Sequence, residues 1–86
     1  MIVKLEIPEY NNDDGLTIHW ENAFTIEVNF NNEITYIKAN KEGLVSLAIQ
    51  LLTLAQDTVE PGRHIHYDYN NSLEDGSSDL VIEKIR

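Results

Sequence analysis

Two histidines and an aspartate alternate along His64-Ile65-His66-Tyr67-Asp68. On an extended strand, residues two apart project from the same face. Both imidazoles could then reach one ion, with the Asp68 carboxylate as a third ligand. The competing reading is simpler: polar residues fill the wet face of a half-buried strand, and this reading is preferred at the level of the residues. Nucleophilic chemistry finds no support. The chain has no cysteine, no G-x-S-x-G elbow and no glycine-rich phosphate loop. Ser72, Ser77 and Ser78 lie in turn-rich sequence, where Ser72-Leu73-Glu74-Asp75 fits a capped helical turn. Glu74 and Asp75 could serve as acid and base, but adjacent side chains usually diverge. No catalytic residue, resident metal or cofactor is therefore expected.

The histidine run also contains part of the H-x-H-x-D-H signature of metallo-β-lactamase-like hydrolases. Tyr69 stands where the last histidine belongs, however, and 86 residues are far too few for that fold. That length allows one domain with one core, 1–86. A hydrophobic fraction of 42% is ordinary for a globular chain and argues against disorder. The absence of cysteine excludes disulfide frameworks and cysteine zinc sites. No signal peptide is visible, and the apolar run Leu44 to Ala55 is too short to span a bilayer, so a cytoplasmic location is expected. Six basic residues against fifteen acidic ones give a formal charge of −9. Such a chain repels phosphate backbones and anionic membranes, which argues against nucleic-acid and membrane partners. It attracts cationic proteins and speeds their encounter, although acidity also serves solubility.

These residues must be positioned by regular elements, and two periodicities define them. Alternation predicts strands over 1–7, 16–20, 24–30 and 34–39, then over 64–69 and 78–85. The clearest is Phe24, Ile26, Val28 and Phe30 against Thr25, Glu27 and Asn29. Asn31-Asn32, Asn70-Asn71 and Asp75-Gly76 are turn signals, and Pro61-Gly62 resets the chain. Between the fourth and fifth strands, Leu44, Leu47, Ala48, Leu51 and Ala55 recur at helical spacing over 41–56. Asn40 is the expected N-cap, and Ser46, Gln50 and Thr53 form the only polar stripe. The expected fold is α+β: a mainly antiparallel sheet of about six strands with one long helix on one face (ββββαββ). Trp20, Phe24 and Phe30 are expected in the core.

One helix covers one face of such a sheet and leaves the other open. Alternation assigns His19, Glu27, Asn29, His64, His66 and Asp68 to the open face, with Glu74 and Asp75 at its border. These carboxylates are the expected contact points for a partner, Glu27 and Asp68 as anchors and Glu74 and Asp75 as rim charges. The apolar arc of the helix, with Val45, Ile49 and Leu52 beside the Leu44–Leu51 face, looks wider than one sheet can cover. That width points to self-association, a homodimer through the helix, or a partner contact along one edge.

Two stretches carry a family resemblance. A-N-K-E-G-L-V-S-L-A-I-Q-L-L-T-L-A-Q, from Ala39 to Gln56, resembles an N-x-E-G-L-x-S-L-A helix. H-I-H-Y-D-Y-N-N-S-L-E-D-G-S-S-D-L-V-I-E-K-I resembles an H-x-H-x-D…S-L-E-D-G-S…L-x-I ending. Together they are similar to a small immunity-protein family of bacterial polymorphic toxin systems. The resemblance implies an intracellular antidote that binds a cognate toxin, without saying which. Many toxins of such systems are nucleases, whose basic clefts an acidic inhibitor suits. The positions that carry over are Asn40, Gly43, Leu44, His64, His66, Asp68, Leu73, Glu74, Asp75, Gly76 and Ser77. Asn40 is assigned to the cap, Gly43 and Gly76 to backbone geometry, and Leu44 and Leu73 to the core. The expected function is therefore a non-enzymatic immunity protein that blocks a basic toxin sterically and electrostatically. The alternatives are a metal-binding module or metal-dependent enzyme centred on His64, His66 and Asp68, or a homo-oligomeric accessory subunit.

Overall fold

Asn40 starts the helix in the manner its side chain allows. In the computed structural model, which describes residues 1–86, its backbone is extended and its Oδ1 accepts from the Gly43 amide at 2.8 Å. That satisfies one of the amides the first turn leaves unpaired. The same oxygen accepts from Thr25 N at 2.9 Å, and Nδ2 donates to Ala23 O at 3.0 Å. The cap thus also ties helix α1 (Lys41–Leu54) to the chain entering the first strand. The helix ends two residues before the expected Gln56, at a cap on Ala55 whose N–H returns to Leu51 O.

Four strands form, as two antiparallel pairs. Strand β1 (Ile26–Asn31) pairs with β2 (Ile34–Ala39), and β3 (His64–Tyr67) pairs with β4 (Leu80–Glu83). The α+β class holds, but the order is ββαββ in two small sheets rather than six strands in one. The turn between β1 and β2 is Asn32-Glu33, one residue later than the Asn31-Asn32 signal. Both residues have positive φ, 51° and 63°, as a tight hairpin matching strand twist requires.

The segment between β3 and β4, residues 68–79, explains why the sheets do not merge. It lies along the outer edge of β1: Glu74 N donates to Ile26 O at 2.9 Å and Ser78 N to Val28 O at 2.7 Å. Ser77 Oγ accepts from Val28 N at 3.1 Å. A looped connector therefore occupies the edge where a further strand would pair. The helical turn expected at Ser72 is absent. Its place is taken by a turn on Asp68, whose carbonyl accepts from the amides of Asn71, Ser72 and Leu73.

The strands expected over 1–7 and 16–20 do not form, because neither segment finds a strand edge. Met1, Ile2 and Val3 are exposed and contribute nothing to the core. Leu16, Ile18 and Trp20 do point inward, so the alternation was sound, and they pack on the core with Phe24. Their backbone is held by side chains of the helix and of Gln56 just beyond it, instead of a ladder. Gln50 Nε2 donates to His19 O at 2.8 Å, Glu21 N donates to Ser46 Oγ at 2.8 Å, and Gln56 bonds both Pro8 O and Tyr10 N. Farther along, Tyr10 Oη and Arg63 Nε converge on Glu60 Oε2 at 3.1 and 3.0 Å. The Arg63 hydrogen bond, helped by Tyr10, holds the Glu60 carboxyl below the usual range.

The helix therefore faces the opposite way from its amphipathic pattern. Ser46, Gln50 and Thr53 are buried with Gly43, Ile49 and Leu54, whereas Leu44 is 56% exposed and Ala48, Leu51, Leu52 and Ala55 face outward. The core lies between the inward stripe of α1, Ile26 and Val28 of β1, Ile65 and Tyr67 of β3, and Leu73 of the connector. Leu73 occupies the core as expected, but Leu44 does not. Phe30 also departs from expectation at 66% exposure, because the hairpin carries it beyond the reach of the helix. Gly43 is small for a reason: a Cβ there would run into Thr25 O and lie 3.0 Å from Ile26 Cγ1.

Candidate partner-binding surface

Strand alternation on β3 buries Ile65 and Tyr67 and sends His64 and His66 to solvent. His64 Nδ1 lies 3.2 Å from Gly62 O. His66 Nε2 lies 3.0 Å from Asp79 Oδ2, an exposed pair joining β3 to the residue before β4. Asp68 is committed locally: its Oδ1 accepts from Asn70 N at 2.9 Å and Asn71 N at 3.0 Å, while Asn71 Oδ1 accepts from Asp68 N. Asn71 Nδ2 in turn donates to His66 O. His64, His66 and Asp68 therefore each have their own local partners and do not converge on a point. Nowhere do three or more histidine, aspartate or glutamate side chains gather so as to hold a metal ion.

The connector 68–79 carries Asp68, Glu74, Asp75 and Asp79 and no lysine or arginine. Glu74 and Asp75 are exposed and take part in no ion pair. Of the fifteen acidic side chains, only Glu60 is paired with an arginine or lysine, so most of the −9 charge is uncompensated locally. The folded chain thus presents a concentrated negative field on this connector. Sequence constrains its shape. Leu73 plugs the core, Gly76 takes φ +84°, and Ser77 binds the β1 backbone, which leaves Glu74 and Asp75 at the tip.

Glu27 sits on β1 opposite Lys38 of β2, between Ile26 and Val28, whose carbonyls anchor the connector. It belongs to a different sheet from the two β3 histidines. His19 lies in the N-terminal segment, with Nε2 2.6 Å from Glu21 Oε2. The single open sheet face expected to gather His19, Glu27, Asn29, His64, His66 and Asp68 does not exist, because the sheet is divided. What the fold does join is His66 to Asp79 of the connector, and the connector backbone to the edge of β1, the strand that carries Glu27.

Two features escaped the sequence reading. Asp79, the residue before β4, stands at the mouth of the β3–β4 pair, where it meets His66. On the β1–β2 hairpin, Phe30 and Ile37 are exposed on one face and Ile34 and Tyr36 on the other. Large aromatic side chains are frequent binding anchors, and the adjacent turn signal was the clue that Phe30 lies at an extremity.

The burial of Tyr67 closes the site from beneath. Its hydroxyl donates to Gln50 Oε1 at 2.7 Å, and its ring meets Trp20 edge-on at 6.1 Å. Desolvation pushes its pKa up to about 12. The His64–Tyr67 strand is thereby fixed to the helix, so the outward histidines rest on a rigid support.

No curated protein and no solved structure matches the chain. Residues 35–85 match the Immunity protein 32 family model. That span begins in β2 and includes α1, β3, the connector and β4, and with them every position of the helix motif (39–56) and of the ending motif (64–85). The chain belongs to the Immunity protein 32 family.

Proposed function

We propose that the protein neutralises a cognate bacterial toxin by binding it one to one, without enzymatic action. The observation that carries this reading is its membership of an immunity-protein family. The uncompensated carboxylates of the connector favour a basic toxin surface, such as the phosphate-binding cleft of a nuclease. The partner surface comprises Glu27, His64, His66, Asp68, Glu74 and Asp75, extended by Asp79. No helix of the protein is long and apolar enough to cross a membrane, and the proposed site of action is the cytoplasm. Long-range attraction steers the toxin, and a few carboxylates desolvated on contact hold it.

The test is co-expression of the chain with the toxin encoded beside it, followed by pull-down and surface plasmon resonance. Growth rescue with a stable one-to-one complex is expected. Glu74→Gln with Asp75→Asn should mainly slow association, and added salt should act in the same direction. Glu27→Gln should mainly speed dissociation. Asp68→Asn retains an oxygen for the Asn70 and Asn71 amides, so it removes charge without dismantling the turn. Full rescue by a chain that forms no complex with the toxin would refute the binding mechanism.

A further inference from the structure

The outward side of α1 is the least expected surface of the protein. Residues 43–56 form an unbroken run without a charged side chain in a chain of net charge −9. The exposed members Leu44, Ala48, Leu51 and Ala55 fall on one stripe, flanked by half-buried Leu47 on one side and exposed Leu52 on the other. Only the Lys84 side chain lies against it, beside Leu51 and Ala55 at its C-terminal end, and the rest is uncovered. We propose that this stripe binds a second copy of the same chain, with the two helices antiparallel about a two-fold axis at the level between Ile49 and Gln50.

The stripe is self-complementary about that level. An antiparallel two-fold brings each residue level with the one equally far on the other side of the midpoint, in the partner helix. Leu44 then meets the second copy's Ala55, and Ala48 meets the second copy's Leu51. Large faces small at every level of the centre line, as interdigitating layers require. Leu47 and the second copy's Leu52 fall level with each other on opposite flanks. All six apolar positions are thereby used, and none is matched with a polar residue.

Charge favours the same occupant. The residues at the ends of the stripe are Lys41 at the helix start and Lys84 and Asp57 at its end. A basic toxin finds no carboxylate among residues 43–56, whereas a second stripe brings none that would repel. The carboxylate-rich connector lies elsewhere, so self-pairing leaves it available. The helix is about 21 Å long, and so short a contact falls below the ~800 Å² per partner of stable complexes. The dimer is therefore weak and concentration-dependent.

Its salt dependence sets it apart from toxin capture. Two chains of like charge approach more readily when screened, so salt strengthens the dimer while it weakens a complex with a basic partner. The proposal does not depend on the toxin reading. Sedimentation velocity of the full chain from about 10 μM to 1 mM, at low and high salt, is expected to show monomer passing to dimer, with more dimer at high salt. Leu51→Glu should abolish the dimer with an unchanged circular dichroism spectrum. Because the chain lacks cysteine, the register is testable by oxidation: Leu44→Cys mixed with Ala55→Cys should cross-link. Leu44→Cys alone should not, since the two copies of residue 44 lie roughly 16 Å apart along the axis. A strict monomer at 1 mM in both salts, or cross-linking of Leu44→Cys with itself in preference to the mixture, would overturn the proposal. So would loss of toxin binding in Leu51→Glu from a wild type that stays monomeric.

Discussion

Replacing Gln50 by leucine separates the two ways of orienting the helix. If the amphipathic pattern governed, Gln50 would lie on the surface and the change would alter stability by no more than about 0.5 kcal/mol. In the structure the side chain is fully buried, accepting from Tyr67 Oη at 2.7 Å and donating to His19 O at 2.8 Å. Leucine can do neither. A buried polar group left without a partner costs about 1–3 kcal/mol, so the two together cost about 2–6 kcal/mol. The apolar side chain gained in the interior offsets about 1.5–3 kcal/mol of that. A net loss on the order of 2 kcal/mol is expected, which lowers Tm by roughly 8–16 °C in a domain of this size. Adding Tyr67→Phe removes one orphaned group, so the double variant should be more stable than Gln50→Leu alone by about 1 kcal/mol. Thermal and urea unfolding of the four members of this cycle measure both quantities. A Gln50→Leu chain as stable as wild type, together with a double variant no more stable than Gln50→Leu, would show that the polar stripe does not face inward.

Other consequences follow from particular contacts. Gly43→Ala adds a better helix former, worth about 1 kcal/mol on an exposed helix, yet here it should destabilise by several kcal/mol or abolish folding, because the methyl meets Thr25 O; urea unfolding decides the sign. Glu33→Gly should raise stability by about 1 kcal/mol, since a non-glycine residue at φ 63° is strained; a lower Tm would refute the turn geometry. Tyr67 titrates at about 12 when folded and near 10 when unfolded. Its ionisation favours the unfolded chain, so its contribution is whole below pH 10 and is lost as pH rises toward 12. The fall of Tm over that window should be shallower in Tyr67→Phe.

Much of the local structure was legible in residues and spacing. Asn40 caps the helix, the alternation of Ile26 with Glu27 and Ile65 with His66 names the inward side chains, and Leu73 fills the core. These follow from neighbours along the chain: a cap oxygen reaches the amide three residues on, and a strand turns alternate side chains to opposite faces. The acidity and the carboxylates of the connector were equally visible. Their gathering beside β1 was not, because it rests on Glu74 and Ser78 bonding to Ile26 and Val28, contacts about fifty residues distant in the chain.

The helix shows the boundary between the two kinds of knowledge most sharply. Its period determined that Ser46, Gln50 and Thr53 share one stripe and that Leu44, Ala48, Leu51 and Ala55 share the other. Periodicity is blind to which stripe turns inward. Tertiary structure decided it: residues 16–21 pack on the core without a strand partner, so the His19 carbonyl and the Glu21 amide need hydrogen bonds from elsewhere. The polar stripe supplies those hydrogen bonds from Gln50 and Ser46, so it lies in the interior while the apolar one is left outside.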